Sequence, residues 1–366
     1  MKFNISKTDF LNALNITAKG RSGRSTLPIL SGVYIKAQDG SILLQTTDLE
    51  TSVRVSTPAL VENEGETVVP GKLISELVKT LPEAAVSCSL DGEQFIIECL
   101  SSRFSMKTMQ AKDFPAFPEV EAAESIVIPA GRASEMVKKV SKAVSRDESH
   151  MILTGINVVA EGENISMVAT DSYRLAIDES SIENHDGTFQ LVIPGSVLDD
   201  VCRLLGKEDS LEIGYNDNQI LFKFGQSTFV TRKLEGNYPN YKQIIPKEKT
   251  ISAVVETKTL LDAIKRVSVM AQEYMQIRLE LLPELQQIVI SAKVADVGGA
   301  KETVDAQIDG EQILIGFNYQ YLMDGLNAIS TEEVVFEANS PLKPGVLKSV
   351  GEEKFFYLSM PVKLND

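Results

Sequence analysis

One stretch of this chain occurs three times in order, and the repetition limits the possible folds more than any single residue does. Each copy runs from an apolar strand through a glycine into an amphipathic helix, at 68–77, 191–200 and 314–323. The glycines are Gly71, Gly195 and Gly316, so the intervals are 124 and then 121 residues. Such periods exceed those of solenoid repeats, so each copy is expected to be a domain with its own core. We assign the domains to 1–120, 121–248 and 249–366.

Each repeat is predicted to contain two helices and several short strands. The first helices are predicted at 7–19, 132–146 and 257–270, and the second helices at 72–80, 195–206 and 317–328. Segments such as 94–99 and 219–224 are rich in β-branched and aromatic residues and follow Gly, Asn or Asp turns, as antiparallel strands do. The fold class is therefore α+β, with two helices packed on antiparallel sheet in each repeat.

The composition excludes several functional classes. The chain has no apolar segment near its start or long enough to span a bilayer, so a cytoplasmic protein is expected. The three cysteines, Cys88, Cys99 and Cys202, lack metal-ligand spacing, and the two histidines lie far apart, so we expect no metal and no cofactor. The net charge of −15 would ordinarily argue against nucleic acid as a partner.

The charge is distributed unevenly on the predicted helices, however. In 132–146 the apolar residues Met136, Val137, Val140 and Val144 share one face, whereas Lys138, Lys139, Lys142 and Arg146 are predicted roughly opposite. The segment 257–270 repeats this arrangement with Lys258, Lys265 and Arg266. Lysines on a single helix usually form an ordinary solvated face. Their recurrence at equivalent positions of an acidic chain favours a basic binding surface.

Five separated motifs carry a family resemblance. They are Arg24-Ser-Thr-Leu-Pro-Ile-Leu30, Thr47-Asp-Leu-Glu50, Ala169-Thr-Asp-Ser-Tyr-Arg-Leu-Ala176, Asn237-Tyr-Pro-Asn-Tyr241 and Met360-Pro-Val-Lys-Leu364. Together they resemble the β subunit of bacterial DNA polymerase III, the sliding clamp family, over the whole chain. The resemblance implies a head-to-tail homodimer, in which six domains form a closed ring with twelve helices around a central hole. Helices spaced about 9–10 Å apart would give an axis-to-axis diameter near ~36 Å, wide enough for duplex DNA.

The resemblance also implies the function. A ring of this kind is a non-catalytic processivity factor of DNA replication, which slides on duplex DNA because a basic lining attracts phosphates without reading bases. Its expected partners are double-stranded DNA, the polymerase III catalytic subunit, the clamp loader, and other polymerases and repair proteins with short binding motifs. The resemblance assigns DNA contact to Arg24, Lys72, Arg103, Arg146 and His150, and the basic helix faces add Lys138, Lys139, Lys142 and Lys265.

The resemblance implies two further surfaces. The residues of a cleft for partner peptides would be Leu153, Gly155, Thr170, Ser172, Tyr173, Arg174, Leu175, Pro239, Gln243, Ile244, Pro341, Leu342, Met360, Pro361, Val362, Lys363 and Leu364. Tyr173 and Gln243 stand where relatives often have histidine or arginine, and Asn365 and Asp366 extend beyond the usual terminal leucine, so the peptide preference is expected to differ. The dimer seam would join Phe104 and Met106 to Val269 and Met270.

Two alternatives differ in class. Asp48 and Asp171 could be paired carboxylates of a hydrolase, with Asp296 as a third, but they recur once per repeat, and Asp171 fits a turn residue that bonds its own backbone. The sequence contains no phosphate-binding loop, zinc motif or nucleophile elbow, so no catalytic residue is assigned. The other alternative is a monomeric three-domain scaffold, which would keep the cleft at Met360–Leu364 without a basic face.

Overall fold

The computed structural model of the chain describes residues 1–22, 27–183, 185–206, 210–294, 298–351 and 354–364. These residues form six α-helices: α1 Lys7–Thr17, α2 Gly71–Thr80, α3 Ala130–Val140, α4 Gly195–Leu204, α5 Thr257–Ser268 and α6 Tyr319–Ala328. Within the same ranges, no helix has both the length and the apolar character needed to cross a membrane. Nor do three or more His, Cys, Asp or Glu side chains of this described part gather as metal ligands.

The strands of the described residues follow the same order in each third of the chain. The first third contains β1 Lys2–Ser6, β2 Gly32–Gln38, β3 Ser41–Thr47, β4 Thr51–Pro58, β5 Leu60–Asn63, β6 Gly65–Pro70, β7 Ala85–Asp91, β8 Gln94–Cys99 and β9 Ser102–Lys107. The second contains β10 Glu124–Pro129, β11 Gly155–Glu161, β12 Asn164–Thr170, β13 Arg174–Ser181, β14 Thr188–Pro194, β15 Ser210–Tyr215, β16 Gln219–Phe224 and β17 Ser227–Arg232. The last contains β18 Ile251–Glu256, β19 Gln276–Leu282, β20 Gln287–Val294, β21 Gly298–Asp305, β22 Gln307–Gly310, β23 Ile313–Asn318, β24 Glu333–Ala338, β25 Gly345–Ser349 and β26 Phe355–Ser359.

The second helices correct the predicted alignment of the third repeat. They begin at Gly71, Gly195 and Tyr319, so both intervals are 124 residues. Gly316 is therefore not the helix-starting counterpart of Gly71, because it lies inside β23, three residues before α6. In the third repeat Asn318 precedes the helix, and its side chain accepts a hydrogen bond from the backbone N–H of Gln320. Gly316 resembles Gly71 and Gly195 in the sequence because apolar residues stand on both sides of it, so the predicted alignment matched the wrong position of the third repeat.

The predicted helix at 132–146 ends earlier than its charge pattern indicated. Helix α3 ends at Val140, a 3-10 turn covers 141–143, and Val144 is extended with ψ 137°. The following Ser145 donates its backbone N–H to the carbonyl of Leu153, 2.9 Å away. Serine and valine are weaker helix formers than alanine or leucine, and the Ser145 hydroxyl accepts a hydrogen bond from the backbone N–H of Asp147 at 3.1 Å, which is a local alternative to another helical turn. The other five helices begin or end within two residues of the predicted positions.

The chain separates into two compact units, and each is built around two sheets. The first unit, 1–133 with 200–233, contains an eight-stranded sheet in the order β10-β15-β16-β17-β4-β3-β2-β6 and a five-stranded sheet in the order β5-β1-β7-β8-β9. Its core includes Phe3, which packs edge-on against Phe10 of α1 at a centroid distance of 6.2 Å. Burial of these rings contributes to the stability of this unit.

The second unit, 134–199 with 234–366, has a nine-stranded sheet in the order β14-β11-β12-β13-β26-β25-β24-β18-β22. Its four-stranded sheet has the order β21-β20-β19-β23. Helix α6 packs closely on the larger sheet through Gly325, where an added Cβ would lie 2.5 Å from the Tyr357 ring. The Tyr357 hydroxyl donates to the Tyr321 carbonyl at 2.8 Å, which fixes this helix on one face of the sheet.

Candidate functional site

A tight turn between β12 and β13 displays Tyr173. Asp171 Oδ1 accepts hydrogen bonds from the backbone N–H groups of Tyr173 and Arg174, both at 3.0 Å. Ser172 has φ 75°, and the Thr170 hydroxyl donates to the Arg174 carbonyl at 2.6 Å. Local bonds thus hold the turn, and Tyr173 remains 62% exposed.

The corresponding turn in the first repeat has the same construction. Asp48 Oδ1 accepts from the backbone N–H groups of Glu50 and Thr51 at 3.0 and 2.7 Å, and Leu49 has φ 77°. Both Asp48 and Asp171 therefore serve as turn residues that bond their own backbone, as predicted for Asp171. Asp296, the third carboxylate of the hydrolase alternative, lies outside the described residues.

Arg174 anchors this turn to helix α6. Its Nε donates to Asp171 Oδ2 at 2.9 Å, and its Nη1 donates to Asp324 Oδ2 at 2.5 Å. The guanidinium also lies 4.4 Å from the centre of the Tyr321 ring. Burial by itself lowers the pKa of Arg174, but the hydrogen bond to Asp324 and the charge of Asp171 help to raise the pKa above its ordinary value. The guanidinium is therefore committed to the protein, and it positions the turn.

The last residues of the described chain leave the sheet beside this turn. Strand β26 pairs with β13, but it ends at Ser359. The backbone N–H of Met360 then donates to the Tyr173 carbonyl, and that of Val362 donates to the Gly316 carbonyl, both at 2.8 Å. An added Cβ at Gly316 would lie 2.6 Å from the Val362 carbonyl oxygen, so glycine permits this close approach. The segment 360–364 is thus more than the completion of a strand.

Several predicted cleft residues expose apolar side chains. Tyr173, Ile244, Leu342, Met360 and Val362 are all exposed large hydrophobic residues. Exposed apolar side chains of this size often mark binding surfaces when they lie together. Main-chain bonds bring Met360 to Tyr173.

The remaining cleft residues divide by exposure. Pro239, Gln243, Pro341, Lys363 and Ser172 are exposed, and Pro361, Arg174 and Leu364 are partly buried. Four of the predicted residues are buried: Leu153, Gly155, Thr170 and Leu175. Pro341 lies with Leu342 in the loop after β24, and no hydrogen bond within the described ranges joins that loop to Tyr173 or Met360. Asn365 and Asp366 lie outside the described residues.

An apolar cluster that contains Leu175, one of the predicted cleft residues, also includes residues that the sequence did not indicate. Leu175 and Leu358 are fully buried, and Tyr238, Tyr241 and Ile245 pack against their cluster. The Tyr238 hydroxyl donates to the Val168 carbonyl at 3.2 Å. The motif at 237–241 was the available signal, because it contains both tyrosines beside Pro239. Asp324 and Tyr321 were also missed, since nothing local in α6 indicates their contact with Arg174.

The predicted basic face of α3 needs one correction. Lys138 and Lys142 are exposed, but Lys139 is only 6% exposed. The Lys139 ammonium lies 3.1 Å from Asp178, which is fully buried, and 3.1 Å from Glu135. Lys139 therefore cannot be a DNA contact in this structure. Its position at the edge of the apolar face carries it inward, where a buried carboxylate compensates its charge.

The other predicted DNA contacts are exposed wherever they are described. Lys138, Lys142 and Arg146 have no carboxylate partner in the described part of the chain. Lys72 lies 3.9 Å from Glu76, Arg103 3.5 Å from Glu98, Lys265 3.3 Å from Asp262, and His150 3.7 Å from Asp147. Exposed pairs of this kind are weak, so these cations remain available to phosphates. Arg24 lies outside the described residues.

The predicted seam residues are not equally accessible. Phe104 in β9 is 38% exposed, and Val269 at the end of α5 is exposed. Met270 is partly buried, and its Cε lies 3.5 Å from the position of an added Cβ at Gly298 in β21. Met106 is only 6% exposed, so the prediction that its side chain lies open at the seam was wrong. Met106 lies on the same strand face as Phe104, but it is opposite the fully buried Phe95 of β8 and belongs to the core of its own repeat.

Comparisons with known proteins cover the full length of the chain. Three family models match in order: the N-terminal domain of the DNA polymerase III beta subunit at 1–118, the central domain at 127–240 and the C-terminal domain at 242–363. The beta sliding clamp of Streptomyces coelicolor is 32% identical over 378 residues, with 100% of both chains covered. The solved structure of the Bacillus subtilis sliding clamp is 29% identical to this chain, with a TM-score of 0.93. A Pseudomonas aeruginosa sliding clamp bound to griselimycin is 25% identical, with a TM-score of 0.93. Both alignments cover 100% of each chain.

Proposed function

The chain belongs to the DNA polymerase III beta subunit family, the bacterial sliding clamps, and we propose that it acts as a closed ring of two copies around duplex DNA. As a member of that family it is a processivity factor of DNA replication. In the proposed mechanism the ring slides on DNA and holds the polymerase III catalytic subunit, the clamp loader and other replication or repair proteins at the cleft. The three domains proposed for each copy are 1–120, 121–248 and 249–366.

One aromatic position, repeated in the last strand of each repeat, carries the proposal of a ring. In the second repeat Phe229 pairs with Val53 of the first repeat, and in the third repeat Tyr357 pairs with Ala176 of the second. Both rings are 1% exposed, and each lies in a strand that is paired with a strand of the preceding repeat. The equivalent Phe104 belongs to the first repeat, where β9 is an outer strand of its sheet, and its ring stays 38% exposed. A second copy of the chain would supply the missing neighbour.

The pairing register of this seam follows from the two junctions inside the chain. At the first junction Ser227, the first residue of β17, pairs with Val55, the fourth residue from the end of β4. At the second junction Phe355, the first residue of β26, pairs with Asp178, which is likewise the fourth residue from the end of β13. The same rule sets Ser102 of β9 opposite Glu302 of β21 in the second copy, and Phe104 opposite Ala300. Both are outer strands of their sheets. An interface that joins different surfaces must close into a ring or polymerise.

The basic side chains would act as a sequence-independent lining. Lys138, Lys142 and Arg146 are the strongest candidates, because they are exposed and lack a carboxylate partner in the described ranges. The proposal also includes Arg24, Lys72, Arg103, His150 and Lys265. Phosphate contacts of this kind supply affinity and position but do not read sequence. Retention on DNA would then be topological, and the acidic remainder of the chain would avoid adhering to DNA elsewhere.

The cleft would hold short apolar segments of partner proteins. Tyr173, Met360 and Val362 offer exposed apolar surface beside a turn that Arg174 holds in position. Methionine adapts to ligands of different shape, which suits a site with several partners. Griselimycin bound to the Pseudomonas aeruginosa clamp shows that a related clamp accepts a ligand. We propose no catalytic activity, because Asp48 and Asp171 are occupied in their turns.

Retention on circular DNA tests the ring directly. The protein is loaded on nicked circular plasmid with the cognate clamp loader and ATP, washed in high salt, and measured before and after one restriction cut. Protein that stays on circles and leaves linear DNA is topologically linked. Equal loss from both forms, with loader activity verified, would favour the monomeric scaffold, as would a solution mass of 40.1 kDa rather than twice that value.

A further inference from the structure

A cavity of about 250 Å³ lies against the last strands of the chain. Its walls come from the segment 246–249 and from the ends of β24, β25 and β26. We infer that this cavity binds an acidic side chain of the same partner polypeptide whose apolar residues occupy the cleft. The inference rests on the proposed peptide-binding function and adds a second, charged point of recognition to it.

The cavity gathers lysines in a chain that is otherwise acidic. Lys247, Lys249 and Lys348 line it, together with the carboxylates of Glu248 and Glu337. Lys249 donates to Glu337 Oε1 at 2.5 Å, and Lys348 donates to Glu337 Oε2 at 2.7 Å. Each ammonium has three N–H donors, so both lysines keep donors for a ligand. Lys247 forms no ion pair within the described ranges.

Glu337 organises these two lysines rather than neutralising the site. Its side chain is only 14% exposed, and it lies between the two ammonium groups. Burial by itself raises the pKa of Glu337, but the hydrogen bonds from Lys249 and Lys348 outweigh burial and lower it. The carboxylate stays ionised at neutral pH and fixes the positions of both ammonium groups. With three lysines and two glutamates, the lining carries one net positive charge.

The floor of the cavity connects it to the cleft. Phe356 lines the cavity and also packs against the apolar cluster that contains Leu175 and Leu358. Tyr241 and Ile245, just before the segment 246–249, pack on the same cluster. Leu175 belongs to the predicted cleft, so cavity and cleft share one apolar layer. A peptide seated in the proposed cleft would therefore lie on the same apolar layer as the cavity.

The face of the sheet favours a protein ligand over DNA. Phe356 and Tyr357 are consecutive strand residues, so their side chains lie on opposite faces of the sheet. Tyr357 packs against α6 through Gly325 and bonds the carbonyl of Tyr321. The cavity consequently lies on the face away from α6. If the helices face DNA, as proposed, the cavity faces the surroundings of the ring, where partner proteins approach.

Peptide binding with matched charge variants tests the inference. The probes are a labelled ten-residue peptide with adjacent leucine and phenylalanine, and the same peptide extended at either end by Ser-Asp-Asp or Ser-Asn-Asn. Affinities are measured by fluorescence anisotropy at low and moderate salt. We expect the aspartate extension at one end to bind about three- to tenfold more tightly than the asparagine extension, as a partly exposed ion pair allows. Moderate salt should reduce this advantage.

Substitutions assign the advantage to the cavity. Lys247→Gln and Lys348→Gln should remove it and leave the affinity of the unextended peptide unchanged, whereas the exposed Lys293→Gln should preserve it. Equal binding of the aspartate and asparagine peptides at both ends would overturn the inference while the cleft stands. The inference would also be overturned if the tighter binding of the aspartate peptide persisted in both cavity variants. Loss of that tighter binding when short duplex DNA is added would overturn it as well. Failure of the unextended peptide to bind would instead remove the cleft proposal and this inference together.

Discussion

Replacement of Phe104 by alanine should weaken the dimer without unfolding the chain. Phe104 is 38% exposed in one copy, and a phenylalanine side chain buries about 200 Å² when fully covered. The proposed seam would therefore cover roughly 75 Å² of this ring, worth about 2 kcal/mol at 25 cal/mol per Å². A closed dimer has two identical seams, so the total loss is about 4 kcal/mol. The dimer dissociation constant should rise by roughly 10²- to 10³-fold.

Sedimentation equilibrium over a dilution series measures this constant. The matched control is Leu60→Ala, because Leu60 is 68% exposed and lies at the opposite edge of the same five-stranded sheet. The control should dimerise like the wild type, and both variants should keep the wild-type melting temperature within a few degrees. Faster loss of Phe104→Ala from loaded circular plasmid would accompany the weaker dimer. An unchanged dissociation constant for this variant would refute both the seam and its deduced register.

Three further substitutions test other contacts. Lys139→Met should lower the free energy of unfolding, measured in urea, by about 3–5 kcal/mol, because Asp178 would be left buried without its cation. Lys138 is exposed, so the control variant Lys138→Met should change this free energy by less than about 0.5 kcal/mol. Equal effects of the two substitutions would contradict the burial argument. Asp324→Asn should reduce the affinity of the unextended leucine–phenylalanine peptide by about three- to tenfold through the loosened Tyr173 turn, and an unchanged affinity would mean that this ion pair does not position the cleft. Glu337→Gln should destabilise the chain at pH 7 but not at pH values below the folded-state pKa of Glu337. The lysine hydrogen bonds outweigh burial and lower that pKa from 4.5, so the stabilisation is present above 4.5 and disappears as the pH falls through the folded value. A difference that persists in acid in urea unfolding would contradict this reasoning.

The repeat pattern was readable from the sequence because it is local. Each strand and helix has its own apolar periodicity, and each turn contains its own glycine or aspartate, so the elements could be predicted one by one. The turn role of Asp171 was predicted for the same reason, since both bonds to its Oδ1 come from residues two and three positions later. The error at Gly316 arose where two candidate alignments had similar local patterns. The pairing of β23 and the start of α6 decided between them.

Side-chain environments depended on contacts that are distant in the chain. A helical projection predicts that Lys139 is as exposed as Lys138 and Lys142, because the projection considers only the residues of one helix. Asp178, which binds the Lys139 ammonium, lies 39 residues later in the chain. Arg174 was predicted as part of the cleft surface, but Asp324, 150 residues away, makes it a support of the turn. A single sequence carries no local signal for such pairs, since neither partner alone differs from an ordinary surface charge.

The sequence by itself determined the α+β repeats and the family to which the chain belongs. Those features rest on residue types at short or regular spacing, where backbone preferences and apolar periodicity act directly. Only the tertiary structure decided which of the repeated side chains are covered. Phe104, Phe229 and Tyr357 occupy one position in three similar strands, yet Phe229 and Tyr357 are 1% exposed, in strands paired with another repeat, whereas Phe104 is 38% exposed. Burial depends on which elements of the folded chain pack together, so it cannot be read from the pattern of a single strand.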